Sequence, residues 1–447
     1  MNFTSLLFLP LFGLTALLYQ RLTSRARAVL LLAASWTFFL LESPGSGVIL
    51  LIVTVLTFAA GLLIDRFSGK MKPRKLLLLI VLAVTLGLLG TFKYSGRFFL
   101  PAGISFYTFQ ALSYTIDVYR GDFPAEKRFG RYALYLSFFP QVVAGPIERP
   151  KDLMGQLACR APVTAGDFRV GGFLMLRGYV KKIVIADAAA PVADALFAGN
   201  AMTGPKVLAA AVLFGIQIYA DFSGYSDIAL GAARLLGIRL SENFKNPYLA
   251  AGIRDFWRRW HLTLTRWLRE YVYIPLGGNR CGRLRTAANT LIVFALSGLW
   301  HGRGLHFLVW GLAHGLFVLL EDLTVKHTPK HPGLQRAGTF FLVSLLWILF
   351  RAPSLGEAVR MYASLPLGWT SAFRAFSVWL SANLPAFVRL LPAVPLLLLL
   401  RREPAASEVP PATAALIGGY ALFLITVISL FLNLKSGGAA PFIYFQF

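Results

Sequence analysis

One histidine of this sequence, His301, follows an apolar run in which an ionisable side chain is costly. Residues 286–300 carry no charge, and Gly302 and Gly304 come shortly after the histidine. A helix that begins near Thr286 rises about 22 Å by residue 300, so we expect the imidazole to lie within the hydrocarbon layer. The glycines predict that the helix ends or kinks there, as at a membrane cavity. An imidazole in such a cavity can act as a general base, taking the proton of a hydroxyl that attacks an activated acyl group.

Three histidines of this region, His301, His306 and His314, raise the alternative of a metal site. They are separated by five and eight residues, which places them on different faces of any single helix. Residues 289–320 contain no carboxylate that would complete a ligand set, so we expect no metal. The sequence also lacks G-x-S-x-G, G-x-G-x-x-G and G-x-x-x-x-G-K. A serine nucleophile elbow, dinucleotide binding and a phosphate-cradling loop therefore have no support.

A basic segment, residues 239–285, precedes the histidine run. It contains ten basic and three acidic residues, an excess that the positive-inside rule assigns to the cytoplasm. Its large apolar side chains recur at helical spacing and predict an amphipathic helix at the interface: Phe256, Trp260, Leu264, Trp267 and Tyr271. Two interpretations remain open, an anchor on the lipid surface or a mouth that binds the phosphates of a donor such as coenzyme A. Under the second, the candidate donor-binding residues are Arg258, Arg259, Trp260, Asn279 and Arg280.

Two further polar positions are candidates for the same site. His261 lies on the flank of the amphipathic pattern, where it is either a structural histidine or a second catalytic residue that holds a hydrogen-bond network or a thioester. The segment from Asp221 to Asp227 places two carboxylates between apolar stretches, either as a helix cap or as the polar lining of a tunnel. The candidate lining residues are Asp221, Ser223, Tyr225, Asp227 and Trp300.

The elements that position these residues are membrane helices. Of the 447 residues, 57% are hydrophobic and 14% are charged, whereas about 25% are charged in soluble proteins. The composition excludes a disordered chain, and two cysteines are too few for a disulfide scaffold or a zinc ribbon. The net charge of +24 then indicates cytoplasmic loops that face anionic lipid, or a site for an anionic substrate, rather than nucleic acid.

The positions of the basic residues predict the orientation of the chain. The uncharged run 3–19 is followed by Arg21, Arg25 and Arg27, the opposite polarity to a signal peptide, so we expect the N-terminus outside the cytoplasm. Three more spans are expected at 29–41, 47–64 and 76–92. Further apolar stretches run over 101–116, 132–145, 170–185, 207–220, 286–300, 305–320, 340–350, 387–400 and 412–431, with a loop at 401–411. We expect an all-α integral membrane protein with ten to thirteen membrane and re-entrant helices in a single domain, residues 1–447.

Two blocks of the sequence have a recognisable pattern: RDFWRRWHLTLTRWLREYVYIPLGGNR (254–280) and SGLWHG (297–302). They resemble the membrane-bound O-acyltransferase family, in its bacterial alginate O-acetyltransferase branch. Further blocks follow the branch in order: PAGISFYTFQALSYTIDVYRG (101–121), FFPQVVAGPIERP (138–150), DFSGYSDIALG (221–231), ENFKNPYLA (242–250), LLWILFRA (345–352) and PFIYFQF (441–447). The sequence departs from the family after WHG, where Arg303, Leu305 and His306 bear on acceptor specificity.

The resemblance implies helices around a tunnel through the bacterial inner membrane, with a cytoplasmic entrance for an acyl donor. It implies that His301 matches the family's catalytic histidine and that His261 is the other family-typical histidine. The expected activity is transfer of acetyl from acetyl-CoA, with no permanently bound cofactor, to a polysaccharide or to an extracytoplasmic partner protein that passes the group on. Two other functions remain open: a transporter or flippase for an anionic lipid or sugar, which broken membrane helices would suit, and a scaffold for polysaccharide assembly.

Overall fold

The computed structural model describes residues 3–5, 7–143, 145–158, 163–198, 202–324, 332–390 and 442. Their regular secondary structure is entirely helical, as expected. The expected loop 401–411 and apolar stretch 412–431, and all but the first residues of stretch 387–400, lie outside the described residues.

The chain divides into two compact units, residues 1–176 with 225–242, and residues 177–224 with 243–447. Among its described residues, the first unit contains eight helices and parts of two more. They are α1 (Phe8–Arg21), α2 (Ser24–Glu42), α3 (Pro44–Arg66), α4 (Met71–Tyr94), α5 (Ile104–Arg120), α6 (Phe129–Ser137), α7 (Phe139–Val142) and α8 (Pro150–Ala158), with most of α9 (Ala165–Tyr179) and the end of α11 (Gly204–Leu235). The prediction of one domain over residues 1–447 stays a prediction.

The second unit holds the remaining elements. A π-helical segment, Val180–Ala186, continues α9 into α10 (Asp187–Phe197), and α11 (Gly204–Leu235) follows. After the 3₁₀ turn Pro247–Leu249 come α12 (Ile253–Trp257), α13 (Leu262–Leu268), a second π-helical segment (Arg269–Tyr273), α14 (Arg283–His301), α15 (Leu305–Thr324), α16 (Pro332–Arg351), α17 (Leu355–Ser364) and α18 (Ala372–Leu390).

Six helices among the described residues are long and apolar enough to cross a membrane. They cover Ser24–Leu41, Pro44–Arg66, Met71–Tyr94, Gly204–Leu235, Leu305–Leu323 and Pro332–Arg351. The first three contain the spans expected at 29–41, 47–64 and 76–92. The protein is therefore a multi-pass membrane protein.

The first expected span differs from its prediction. Helix α1 has only 14 residues, which is short of the length needed to cross the hydrocarbon layer. Its Phe8 and Phe12 are buried, with the Phe8 ring 6.2 Å from that of Phe38. The Arg27 Nε donates a hydrogen bond of 2.8 Å to the carbonyl oxygen of Tyr19, near the end of α1. The uncharged run therefore packs its aromatic face on protein.

The pair formed by α14 and α15 carries the candidate catalytic histidine. Two glycines bring their backbones together, since a Cβ at Gly298 would meet the carbonyl oxygen of Phe307 and a Cβ at Gly311 would meet that of Phe294. Small residues at such positions let membrane helices approach closely. The chain between the two helices is only Gly302 to Gly304, so the end of α14 lies against the start of α15.

Candidate active site

His301 is the last residue of α14, and Gly302 continues in extended backbone with φ −168°. The prediction that the helix ends at these glycines is confirmed, although α14 begins at Arg283, three residues before the expected start. The His301 side chain is buried, with 3% of the residue exposed. The imidazole at the end of α14 therefore lies in the protein interior.

Aromatic rings of three described residues pack around the His301 imidazole. The ring centroids lie at 4.9 Å for Trp300, 5.1 Å for Trp310 and 5.1 Å for Phe350. All three rings stand steeply to the imidazole plane, at 83°, 89° and 69°. Such surroundings keep bulk water from the imidazole and disfavour a permanent charge on it.

His261 lies where the predicted amphipathic helix is interrupted. The prediction of one continuous helix is wrong here, because His261 has φ +44° and separates α12 from α13. A left-handed backbone at a residue other than glycine costs about 1–3 kcal/mol and persists where the surroundings impose it. The apolar face itself is confirmed, since all five of its predicted members are buried: Phe256, Trp260, Leu264, Trp267 and Tyr271.

The side chain of His261 is fully buried beside Asn243. Its Nδ1 is 3.4 Å from Asn243 Oδ1, which also accepts a hydrogen bond of 2.7 Å from Thr263 Oγ1. Burial lowers the pKa of His261 to about 3, so the ring is neutral at physiological pH. Its centroid lies 5.9 Å from that of Trp300, which in turn contacts His301. Trp300 thus lies between the two predicted catalytic histidines.

The predicted tunnel-lining residues of α11 are all buried. Asp221, Ser223, Tyr225 and Asp227 are exposed by 7% or less. The helix-cap interpretation of Asp221 is wrong, because this residue lies in the interior of α11, where the backbone bonds are made within the helix. The assignment of these residues and of the buried Trp300 to a tunnel stays a prediction.

Asp221 belongs to a buried ionic cluster that sequence reasoning missed. Lys182 Nζ donates a hydrogen bond of 2.5 Å to Asp221 Oδ1 and lies 2.8 Å from Asp187 Oδ1. The sequence does contain an indication of this cluster, since Lys181 and Lys182 interrupt the apolar stretch 170–185. Charged residues at such depth normally face partners in the protein interior.

A cavity of about 830 Å³ lies beside the basic segment. Among the described residues, its charged lining consists of four arginines and one aspartate: Arg254, Arg258, Arg266, Arg269 and Asp322. Its apolar lining includes Trp257, Leu262, Leu264, Leu268, Val293 and Phe294. Ser297 also lines it, one turn of α14 before His301. A cavity with both a cationic and an apolar wall suits an amphipathic anion.

Only some of the five predicted donor-binding residues line this cavity. Arg258 and Asn279 line the cavity. The other three do not: Arg259 Nε pairs with Asp255 Oδ1 at 2.9 Å, Trp260 is buried in the aromatic core, and Arg280 is exposed. The sequence missed Arg254, Arg266 and Arg269 as lining residues, although all three belong to the basic run that it identified.

The sequence profile of MBOAT, the membrane-bound O-acyltransferase family, matches residues 124–351. The chain belongs to the membrane-bound O-acyltransferase family. The resemblance inferred from the motifs is confirmed, and the chain is an O-acyltransferase.

Curated relatives of this membrane-bound O-acyltransferase modify different polymers by name. It is 39% identical over 384 residues to the probable alginate O-acetylase AlgI of Pseudomonas putida, covering 80% of this chain and 78% of the relative. It is 34% identical over 337 residues to the peptidoglycan O-acetyltransferase of Helicobacter pylori, covering 64% of each. It is 28% identical over 246 residues to the teichoic acid D-alanyltransferase of Bacillus subtilis, covering 52% of this chain and 61% of the relative.

Proposed function

We propose that this enzyme transfers acetyl from acetyl-CoA to a hydroxyl on the opposite side of the inner membrane, with His301 as the general base. The observation that carries the proposal is the layout of α14. Ser297 on this helix lines the arginine-bearing cavity, and His301 follows one turn later in an aromatic enclosure. One helix therefore links a compartment suited to the donor with a side chain suited to the proton transfer.

The charges and walls of the cavity support a coenzyme A thioester as the donor. Guanidinium groups such as that of Arg258 bind phosphate oxygens in bidentate geometry. The apolar wall formed by Trp257, Phe294 and Leu268 suits the thioester arm. The same basic residues support a cytoplasmic position for the cavity and an N-terminus outside the cytoplasm.

The proposed chemistry is a single displacement at the acyl carbon. A neutral His301 takes the proton of the acceptor hydroxyl as its oxygen attacks the thioester carbonyl carbon. The carbon–sulfur bond then breaks, and the leaving thiolate receives the proton from His301. The products are an O-acetyl ester and free coenzyme A. His261 takes part by supporting Trp300, against which His301 packs.

The acceptor that we propose is an exopolysaccharide or another cell-envelope glycan. The three relatives are named for alginate, peptidoglycan and teichoic acid, which are all polymers outside the cytoplasm. Transfer is either direct or through an extracytoplasmic partner protein that receives the acetyl group and passes it on.

The test uses acetyl-CoA labelled in the acetyl group and membranes that contain the protein and its native envelope acceptors. His301→Ala is expected to lower acetyl transfer at least about 100-fold, the usual contribution of a general base. His306→Asn is the matched control, because Asn can replace the ring nitrogen, Nδ1, that lies 2.9 Å from the Leu349 carbonyl oxygen. Full transfer by His301→Ala at normal protein level would remove His301 from its proposed role.

A further inference from the structure

Two buried N–H donors on α15 have no hydrogen-bond acceptor among the described residues. They are Nε1 of Trp310 and Nε2 of His314, both fully buried side chains. Buried polar groups are nearly always paired, and an unpaired one in a native protein calls for an explanation, catalysis among them. The two residues are four apart, so they lie on the same face of the helix.

The tautomer of His314 is fixed by a neighbouring tryptophan. Trp257 Nε1 donates a hydrogen bond of 3.3 Å to His314 Nδ1. An indole nitrogen can only donate, so Nδ1 must be the acceptor and a neutral His314 carries its proton on Nε2. His314 therefore presents one N–H group whose position is set by its contact with Trp257.

The side chains that carry these two N–H groups lie between the cavity and His301. Trp257 lines the cavity, and its ring centroid is 5.1 Å from that of His314. The His314 ring is 4.9 Å from Trp310, and the Trp310 ring is 5.1 Å from His301. A continuous series of ring contacts therefore joins the cavity wall at Trp257 to His301.

We propose that the Nε1–H of Trp310 and the Nε2–H of His314 bind the carbonyl oxygen of the acyl donor and stabilise its negative charge during transfer. This inference rests on the proposed function of His301. As the hydroxyl oxygen bonds to the acyl carbon, the carbonyl electron pair moves onto oxygen and His301 takes the hydroxyl proton. The pair returns when the carbon–sulfur bond breaks, and the thiolate takes the proton from His301. Hydrogen-bond donors that are already in position around such an oxygen stabilise mainly the transition state.

The test compares two replacements of His314 in membranes that contain the native acceptors. His314→Leu removes the donor, whereas His314→Gln retains an amide N–H near the position of Nε2. We expect His314→Leu to lower kcat about 100-fold with little change in the KM for acetyl-CoA. His314→Gln should be at least about tenfold faster than His314→Leu.

Two tryptophan variants extend the test. Trp310→Phe retains an aromatic ring beside His301 but lacks the N–H, and is expected to lower kcat about 100-fold. Trp257→Phe leaves the His314 tautomer unfixed and should lower kcat by less than His314→Leu does. The amount of folded protein is measured for each variant. If Trp310→Phe does not fold, the comparison of His314→Leu with His314→Gln tests the inference.

Binding of acetonyl-CoA, a ketone analogue of the donor, distinguishes failure of this inference from failure of the proposed function. The dissociation constant should stay within about threefold of wild type in the two His314 variants and in Trp310→Phe, because these N–H groups act on charge that develops only during reaction. Equal kcat in His314→Leu and wild type, equal rates for the Leu and Gln variants, or a loss confined to KM would overturn the inference while leaving His301 in place. A wild-type protein that does not bind the analogue, or an active His301→Ala variant, would overturn the proposed function and this inference with it.

Discussion

Lys182 Nζ donates a 2.5 Å hydrogen bond to Asp221 Oδ1, and both side chains are buried. Asp187 is the second carboxylate beside Lys182, so one cation neutralises a pair of acids from two helices. Phe222, next to Asp221 on α11, places its ring 4.7 Å from that of His261. The ion pair therefore fixes the part of α11 that packs against the candidate site.

Lys182→Met is expected to destabilise the protein by about 3–5 kcal/mol, because it removes a buried cation that contacts two buried carboxylates. Asp221→Asn is the matched variant and should cost less, since Lys182 keeps its pair with Asp187. The midpoint of thermal unfolding of the purified protein in detergent measures both. A larger loss for Asp221→Asn than for Lys182→Met would contradict the assignment of Lys182 as the shared cation.

The cavity predicts that Arg258 and Arg280 differ in donor binding, although the sequence predicted the same role for both. Arg258 lines the cavity and Arg280 does not. Arg258→Ala should raise the KM for acetyl-CoA about tenfold or more with little change in kcat, because a hydrogen bond to a charged group contributes about 1.5–3 kcal/mol. Arg280→Ala should change KM less than about twofold. Equal effects of the two substitutions would argue against donor binding in this cavity.

The buried His261 predicts a loss of stability in mild acid. Its pKa is lowered to about 3 by burial, whereas the unfolded chain binds a proton near pH 6.5. The stabilisation from the neutral ring is therefore present above about pH 6.5 and is lost by up to about 1.4 kcal/mol per pH unit as the pH falls further. Unfolding midpoints from pH 7.5 to 4.5 are compared for wild type and His261→Gln. Parallel curves would show that His261 does not contribute this pH dependence.

The close approach of α14 and α15 predicts the effect of a single methyl group. Gly311→Ala should destabilise the protein by about 1–3 kcal/mol and lower the rate of transfer, because the new Cβ would displace the backbone at Phe294. Gly338→Ala in α16 is the control, since its Cβ would meet no atom within 4 Å. Acetyl transfer and unfolding are measured for both. A fully active and stable Gly311→Ala variant would mean that the helix contact does not position His301.

Local signals predicted the parts of the site that depend on local structure. Helix α14 ends at the glycines after His301 as predicted, and the apolar spacing from Phe256 to Tyr271 identifies buried side chains correctly. The same spacing gave a continuous helix because periodicity carries no sign of the left-handed backbone at His261. That conformation is held by surroundings that include Asn243, a residue outside the pattern.

Contacts between distant parts of the chain could not be predicted from the sequence. Lys182 and Asp221 are 39 residues apart, and no spacing rule pairs them. Trp257 and His314 are 57 residues apart, so the tautomer of His314 becomes evident only when α12 and α15 are seen together. The division of the predicted arginines into those that line the cavity and those that do not has the same origin.

The position of His301 at the end of α14 also bears on the charge that it carries during transfer. The aligned peptide dipoles of a helix give its carboxyl end a partial negative charge of about half an electron. An imidazole that has just accepted a proton is a cation, and at this pole it gains up to about 2 kcal/mol where solvent is largely absent. The direction of the helix that carries His301 therefore helps to stabilise the short-lived imidazolium.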